Sequence, residues 1–174
     1  VNQCKECHAA EDKITPIGPK ARNLNKKFVF NEGEFNQLTY WMNRQIIDDY
    51  PLEIVSPVDW TDDSQNINDR VRSYLDVNCG HCHSPTGNAN STGLYLHLDE
   101  TRDIHLGLYK KPVATGRGSG GLKYSIVPGK PDESILLHRM ISLDPGVMMP
   151  ESGRALSHTE AVEMVREWIL VMED

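Results

Sequence analysis

Outside two short stretches the chain has no cysteine. All four cysteines fall in Q-C-K-E-C-H at 3–8 and N-C-G-H-C-H-S-P at 78–85, so none is left over for a structural disulfide framework. No apolar run approaches the roughly 20 residues that a membrane-spanning helix needs. Positive charge is in short supply, with 18 Lys and Arg against 25 Asp and Glu and a net charge of −7. That balance argues against nucleic acid or an anionic membrane as partner, while permitting attraction to a basic patch on another protein. No secretory signal is present, and the chain opens at Val1 rather than Met. It reads as a mature form or a piece of something longer, so the missing signal says nothing about compartment. At 174 residues and 39% hydrophobic content, it suits one compact domain or two small ones sharing an interface.

What is present is C-x-x-C-H, twice. Two thiols one helical turn apart can form thioethers to the two vinyl groups on one edge of a haem, and the following imidazole can turn under the iron. The candidate thioether residues are therefore Cys4, Cys7, Cys79 and Cys82, with His8 and His83 as candidate iron ligands. The expected cofactor is haem c, two per chain and one at minimum. A four-cysteine zinc site is the first alternative, but all of 8–78 separates Cys7 from Cys79, far more than compact zinc modules use, and zinc leaves both trailing histidines unexplained. A thioredoxin-like redox pair is the second, yet neither copy sits between a hydrophobic strand and a helix.

Periodicity organises the rest. Ile67, Val71, Tyr74, Leu75, Cys79 and Cys82 follow helical spacing, so a helix over 66–82, capped by Asn66 or Asn68, is expected to end in the second motif. A C-terminal helix over 158–172 carries Val162, Val165, Trp168, Ile169 and Met172 on one face, with Ser157 and Glu160 in a capping-box pattern. A third helix over 131–142 starts at Pro131, with Asp132 and Glu133 at its positive end, and buries Leu136, Leu137, Met140 and Ile141. The stretch 112–121, P-V-A-T-G-R-G-S-G-G, reads as loop, and 94–98 alternates like a minor strand. In the first third, a helix over 34–48 is expected to bury Phe35, Leu38, Trp41, Met42 and Ile46. Met140, Met164 and Met172 read as core packing.

Helix, C-x-x-C-H, loops, helix, loop and final helix over 60–174 resemble the class I c-type cytochromes. The resemblance implies a mainly α fold around covalent haem, its first and last helices crossing. It also implies a methionine from a late loop as second axial ligand. The P-G-V-M-M-P run at 145–150 supplies that methionine, and Met directly before Pro favours Met149 over Met148. Together with I-V-P-G-K-P-D-E-S-I-L-L-H-R-M at 126–140, it resembles the C-terminal cytochrome modules of larger secreted bacterial proteins.

The segment 1–59 is read as a small N-terminal haem-binding unit, and 60–174 as the cytochrome domain. No helix leads into Cys4, but Gly18-Pro19 follows His8 at close to the spacing at which class I cytochromes place a proline carbonyl against the proximal histidine. For the second motif, Pro85 comes too soon. Met42 is the only methionine of this half and the sole candidate sixth ligand there, its other reading being one more core residue. Of the remaining histidines, His81 is expected to face solvent, His138 to lie on a polar helix face and His158 to sit in the first turn of the last helix. Three states stay open for the first motif: a six-coordinate haem, a five-coordinate haem, or a C-x-x-C disulfide, which would leave a monohaem protein.

A His/Met-ligated iron has both axial positions filled and suits one-electron transfer. The expected function is thus an electron carrier rather than an enzyme, outside the cytoplasmic membrane, in the periplasm or secreted. The resemblance implies a module of a larger protein, or one partnered with a secreted copper or quinone oxidoreductase acting on carbohydrate. The rival is a haem peroxidase with an open iron site, against which no distal catalytic constellation is legible.

Overall fold

In a computed structural model the structure describes residues 7–10, 13–14 and 16–173; Cys4 lies outside the described residues. The N-terminal third carries two antiparallel hairpins, β1 (Ala9–Ala10) with β2 (Lys13–Ile14), and β3 (Lys27–Phe30) with β4 (Gly33–Asn36). Between them lies the short helix α1 (Ala21–Leu24), and after them α2 (Gln37–Asn43). The remaining helices are α3 (Ile67–Asn78), α4 (Asp103–Leu106), α5 (Ile135–Ile141) and α6 (Thr159–Leu170). The expected mainly α class holds only in part. Helices build the core, but turns and irregular backbone take up more residues than helix does, and two small sheets are present.

The core forms where α3 meets α6. Val71, Tyr74 and Leu75 from α3 pack with Ala161, Val162, Val165, Trp168 and Ile169 from α6, joined by Leu96, Ile126, Leu137 and Met140. These positions repeat at the three- and four-residue spacing that puts side chains on one helix face. The pairing is antiparallel: the Trp168 indole N–H donates to Asn68 Oδ1 at 3.2 Å near the start of α3, and Tyr74 Oη meets His158 Nδ1 at 3.0 Å, one residue ahead of α6.

Several expectations need correction. The helix predicted over 66–82 begins after the Asn66 cap, whose Oδ1 accepts from the Asn68 amide, but it ends at Asn78. The second motif follows it as a turn instead of closing it. The last helix is not opened by a Ser157 capping box; its cap position is His158, which makes no capping bond and is held from the side by Tyr74 and by the Trp60 ring at 5.1 Å. The helix over 131–142 divides into a single turn of tighter helix at Pro131–Glu133 and α5, because the buried Ser134 hydroxyl accepts from the Val127 amide and bonds the Lys130 carbonyl. Within α5, Ile141 faces out. The stretch 94–98 is not a strand: its amides bond singly, Tyr95 to the His105 carbonyl and Leu96 to that of His83.

The largest departure lies in 27–43. Phe35 belongs to β4, opposite Phe28, and only Leu38 of the predicted helix face is buried. Phe35, Met42 and Ile46 are exposed. Lys-Phe-Val-Phe favours a pleated strand through its aromatic and β-branched side chains. Gly33, at φ +129°, supplies the turn conformation that other residues avoid. The Phe30 ring then stacks on Tyr40 at 3.7 Å between centroids, locking the hairpin to α2.

Polar side chains fasten the rest to α3. Arg72 is buried, and its Nη2 donates to the carbonyls of His97, Leu98 and Glu100 at 2.9, 2.9 and 2.7 Å. Asp76 is fully buried; its Oδ1 accepts from the Leu98 amide at 2.9 Å and from Arg22 of α1 at 2.5 Å. Ser73 Oγ accepts from the Val58 amide, and Arg70 Nε donates to the Trp60 carbonyl. The predicted boundary at 59/60 thus falls in a stretch tied to α3 on both sides.

Glu100 closes this layer. Its carboxylate accepts from the Arg102 guanidinium at 2.7 and 2.8 Å and from the amides of Thr101 and Arg102. The Arg102 side chain above all holds its carboxyl at about 2 against an ordinary 4.5, overcoming the opposite push of burial.

Replacing Arg72 by Met strands three buried carbonyls and is expected to cost about 3 kcal/mol, measured as a lower urea midpoint with an unchanged slope. For Glu100 the folded value is depressed, so its contribution is complete above about pH 4.5 and disappears as pH falls through about 2. Glu100→Gln should flatten the stability–pH curve across that window, followed by urea melts at stepped pH.

Candidate functional site

The second motif leaves α3 in a continuous turn. The Cys79 and Gly80 amides both donate to the Leu75 carbonyl, and the Cys82 and His83 amides both donate to the Cys79 carbonyl, at 3.1 and 2.9 Å. Cys79, Cys82 and His83 therefore share one side of a single turn, as their i, i+3, i+4 spacing requires. Two glycines make this turn possible. A Cβ on Gly80 would lie 2.8 Å from the Asp76 carbonyl, and one on the buried Gly87 would collide with the Cys82 carbonyl. The Ala89 amide then donates to Cys82 O, and Leu96 N to His83 O, so a loop closes over the motif.

Burial pushes the Cys79 thiol up to about 12 and the Cys82 thiol up to about 11, with a neighbouring cysteine adding to each, Cys82 beside Cys79 and Cys7 beside Cys82. Both are thus neutral thiols at neutral pH. The His83 imidazole is largely enclosed; burial holds it below its ordinary value against the opposing Leu94 carbonyl, and its Nδ1 is buried without a hydrogen-bond partner. His83 also feels the charges of Arg139 and Glu151, which pair beside the methionine loop.

That loop is held at both ends. Arg139 Nε donates to the Val147 carbonyl at 2.8 Å, and the Met149 amide donates to the Arg139 carbonyl at 3.0 Å. Arg154 reaches the carbonyls of Arg139, Met140 and Ser142. Met148 is buried and Met149 half-buried. Sequence reasoning passed over both arginines, since a lone arginine in a helix or loop carries no pattern that separates it from a solvated one.

Of the first motif, Cys7 is half-buried and His8 exposed. Gly18 and Pro19 are exposed, and Met42 lies on the outer side of α2. Cys7 instead reaches the second motif. Its sulfur, the Cys82 sulfur and a ring nitrogen of His81 all lie within 4.8 Å of one another. His81 does not face solvent as expected. It is half-buried with Nδ1 unpartnered, and burial, then Lys20 and His8, hold it below its ordinary value.

No family model, curated protein or solved structure matches the chain. Among the described residues no helix is long and apolar enough to cross a membrane. Two open surface cavities lie apart from the motifs; one of about 590 Å³ is lined by Tyr109, Tyr124, Lys123 and Glu133 among others, and the other sits by α1.

Gly87→Ala is expected to destabilise the fold by about 2 kcal/mol or more, because the obstacle is backbone rather than a movable side chain. Thermal unfolding compared with Gly18→Ala, where nothing lies within 4 Å of the added carbon and φ is likewise not positive, separates this clash from the general effect of replacing a glycine.

Proposed function

We propose that the chain is an electron-transfer c-type cytochrome. Cys79 and Cys82 would hold one haem c as thioethers, with His83 and Met149 as the residues to ligate its iron; Cys4, Cys7 and His8 would hold a second. The observation that carries this reading is the single turn after α3 that sets two thiols and an enclosed imidazole side by side. It has the spacing that attachment to one haem edge demands. The unpartnered Nδ1 and the arginine-clamped methionine loop, whose Arg139–Glu151 pair acts on His83, fit the same group. The antiparallel α3 and α6 take the parts of first and last helix in a class I-like fold.

The bound group supplies a one-electron couple. The chain's own residues do the rest. His83 is fixed by the Leu96–His83 backbone bond and by Gly80 and Gly87, which let the turn lie flat. Arg139 and Arg154 hold the 147–149 backbone at a set distance from α5, so that the methionine thioether is presented on a rigid mount. A haem held by His83 and Met149 would leave no open iron position for substrate at the second motif, which favours electron transfer over peroxidase chemistry there. We place this carrier outside the cytoplasmic membrane, with a secreted copper or quinone oxidoreductase as its class of partner.

The chain matured in a haem-attaching host should give a reduced pyridine haemochrome spectrum and an intact mass carrying two covalent haems; absence of a Soret band ends the haem reading. In that material Met149→Ala should abolish the weak near-infrared sulfur-to-iron band of one haem, whereas Met148→Ala should leave it. The reverse pattern would transfer the ligand to Met148.

A further inference from the structure

The two cysteine motifs, so far apart in the chain, meet in space, and the meeting point has the composition of a metal site. We propose that the haem-free chain binds one thiophilic divalent cation, with Zn²⁺ as its representative, between Cys7 Sγ, Cys82 Sγ and a ring nitrogen of His81. The three donor atoms lie within 4.8 Å of one another. A tetrahedral zinc ion with bonds of about 2.3 Å to sulfur and about 2.0 Å to nitrogen spaces its donors somewhat closer than that. Small side-chain rotations close the difference.

The chemistry of the donors selects the ion. Two sulfurs and an imidazole form a soft set that takes zinc over magnesium or calcium, which want carboxylates and carbonyls. The His81 Nδ1 is buried yet bonded to nothing, a polar atom whose lack of a partner is itself costly. All three residues are only half-buried, so an ion has a path in. Binding displaces the two thiol protons to solvent, and the two thiolates formed cancel the charge of the ion.

The fold explains why this site exists. Arg22 of α1 is paired with the buried Asp76 near the end of α3, which carries the N-terminal segment to the side of α3 where the second motif emerges. Cys7 arrives there from the first motif, while Cys82 and His81 come from the second. Haem attachment converts the Cys7 and Cys82 sulfurs to thioethers, so cation and haem exclude one another at this point. The inference concerns the haem-free chain and stands whether or not the haem reading does.

The test uses the chain 1–174 produced without haem attachment, reduced, stripped of metal and titrated with Co²⁺. One Co²⁺ per chain is expected, with tetrahedral visible bands and a near-ultraviolet sulfur-to-cobalt band, all bleached by one equivalent of Zn²⁺. Cys7→Ser, Cys82→Ser and His81→Ala should each weaken binding by about tenfold or more, with far-ultraviolet circular dichroism confirming an intact fold. His105→Ala, outside both motifs and bonded to the Gly93 carbonyl, should bind as the parent does. Absence of a cobalt spectrum overturns the proposal. So does binding that survives Cys7→Ser and His81→Ala but is lost in Cys79→Ser, which would mean a Cys79–Cys82 chelate. Haem content of the matured chain is a separate measurement, so each reading fails on its own evidence.

Discussion

The burial on every side of the middle of α3 is the constraint from which the rest of the molecule follows. Residues 71–76 are all buried, although only Val71, Tyr74 and Leu75 belong to an apolar stripe. Arg72, Ser73 and Asp76 must therefore find partners inside the protein, because a buried charge or donor left alone costs more than the packing around it returns. The partners come from two directions. The 97–100 loop offers carbonyls to Arg72 and an amide to Asp76, and the N-terminal third brings Arg22 and the Val58 amide. One helix thereby organises three otherwise separate parts of the chain.

That arrangement also decides where the chemistry can be. Since α3 is clamped up to Asp76, the motif that follows Asn78 can emerge in only one direction. Gly80, packed against the Asp76 carbonyl, allows the turn to start at once. The 97–100 loop held by Arg72 is continuous with Leu96, whose amide bonds the His83 carbonyl. The enclosure of His83 is thus a consequence of the polar packing of α3 as much as of its own surroundings. On the other side, Arg139 and Arg154 do for the 142–151 segment what Arg72 does for 97–100: a fork of donors replaces regular structure with fixed irregular backbone. The same device used three times lets a chain rich in turns hold defined positions.

Some of this was legible from residue order. The apolar spacing of α3 and α6 survives into the structure, as does the Asn66 cap, because local periodicity and capping act within a few residues. The expected loop at 112–121 contains a tight helical turn at Gly116–Ser119, and α5 buries Ile135 in place of Ile141. Where the reading failed, the deciding contact lay elsewhere in the chain. Phe35 and Met42 matched a helical face in a window, but Phe35 pairs with Phe28 across a hairpin and Tyr40 stacks on Phe30. Ser157 had the right partner for a capping box, yet Tyr74 and Trp60, far earlier in the chain, hold His158 at the cap position. His81 reads as a solvent-facing residue inside a loop until Cys7 is placed against it.

By itself, then, the order of residues determined the chemical vocabulary of the protein: two C-x-x-C-H strings, their i, i+3, i+4 geometry, a late methionine pair and three helices able to bury one face each. Those are properties of spacing, and spacing is local. The tertiary structure alone decided that Cys7 stands beside Cys82 and His81 and that Arg139 ties the methionine loop to the neighbourhood of His83. It also decided that Asp76 is reached by Arg22. The long stretch between the motifs argued against a shared site while only chain distance was known. Buried charges on α3, which cannot be left without partners, draw the N-terminal segment back and make that chain distance irrelevant.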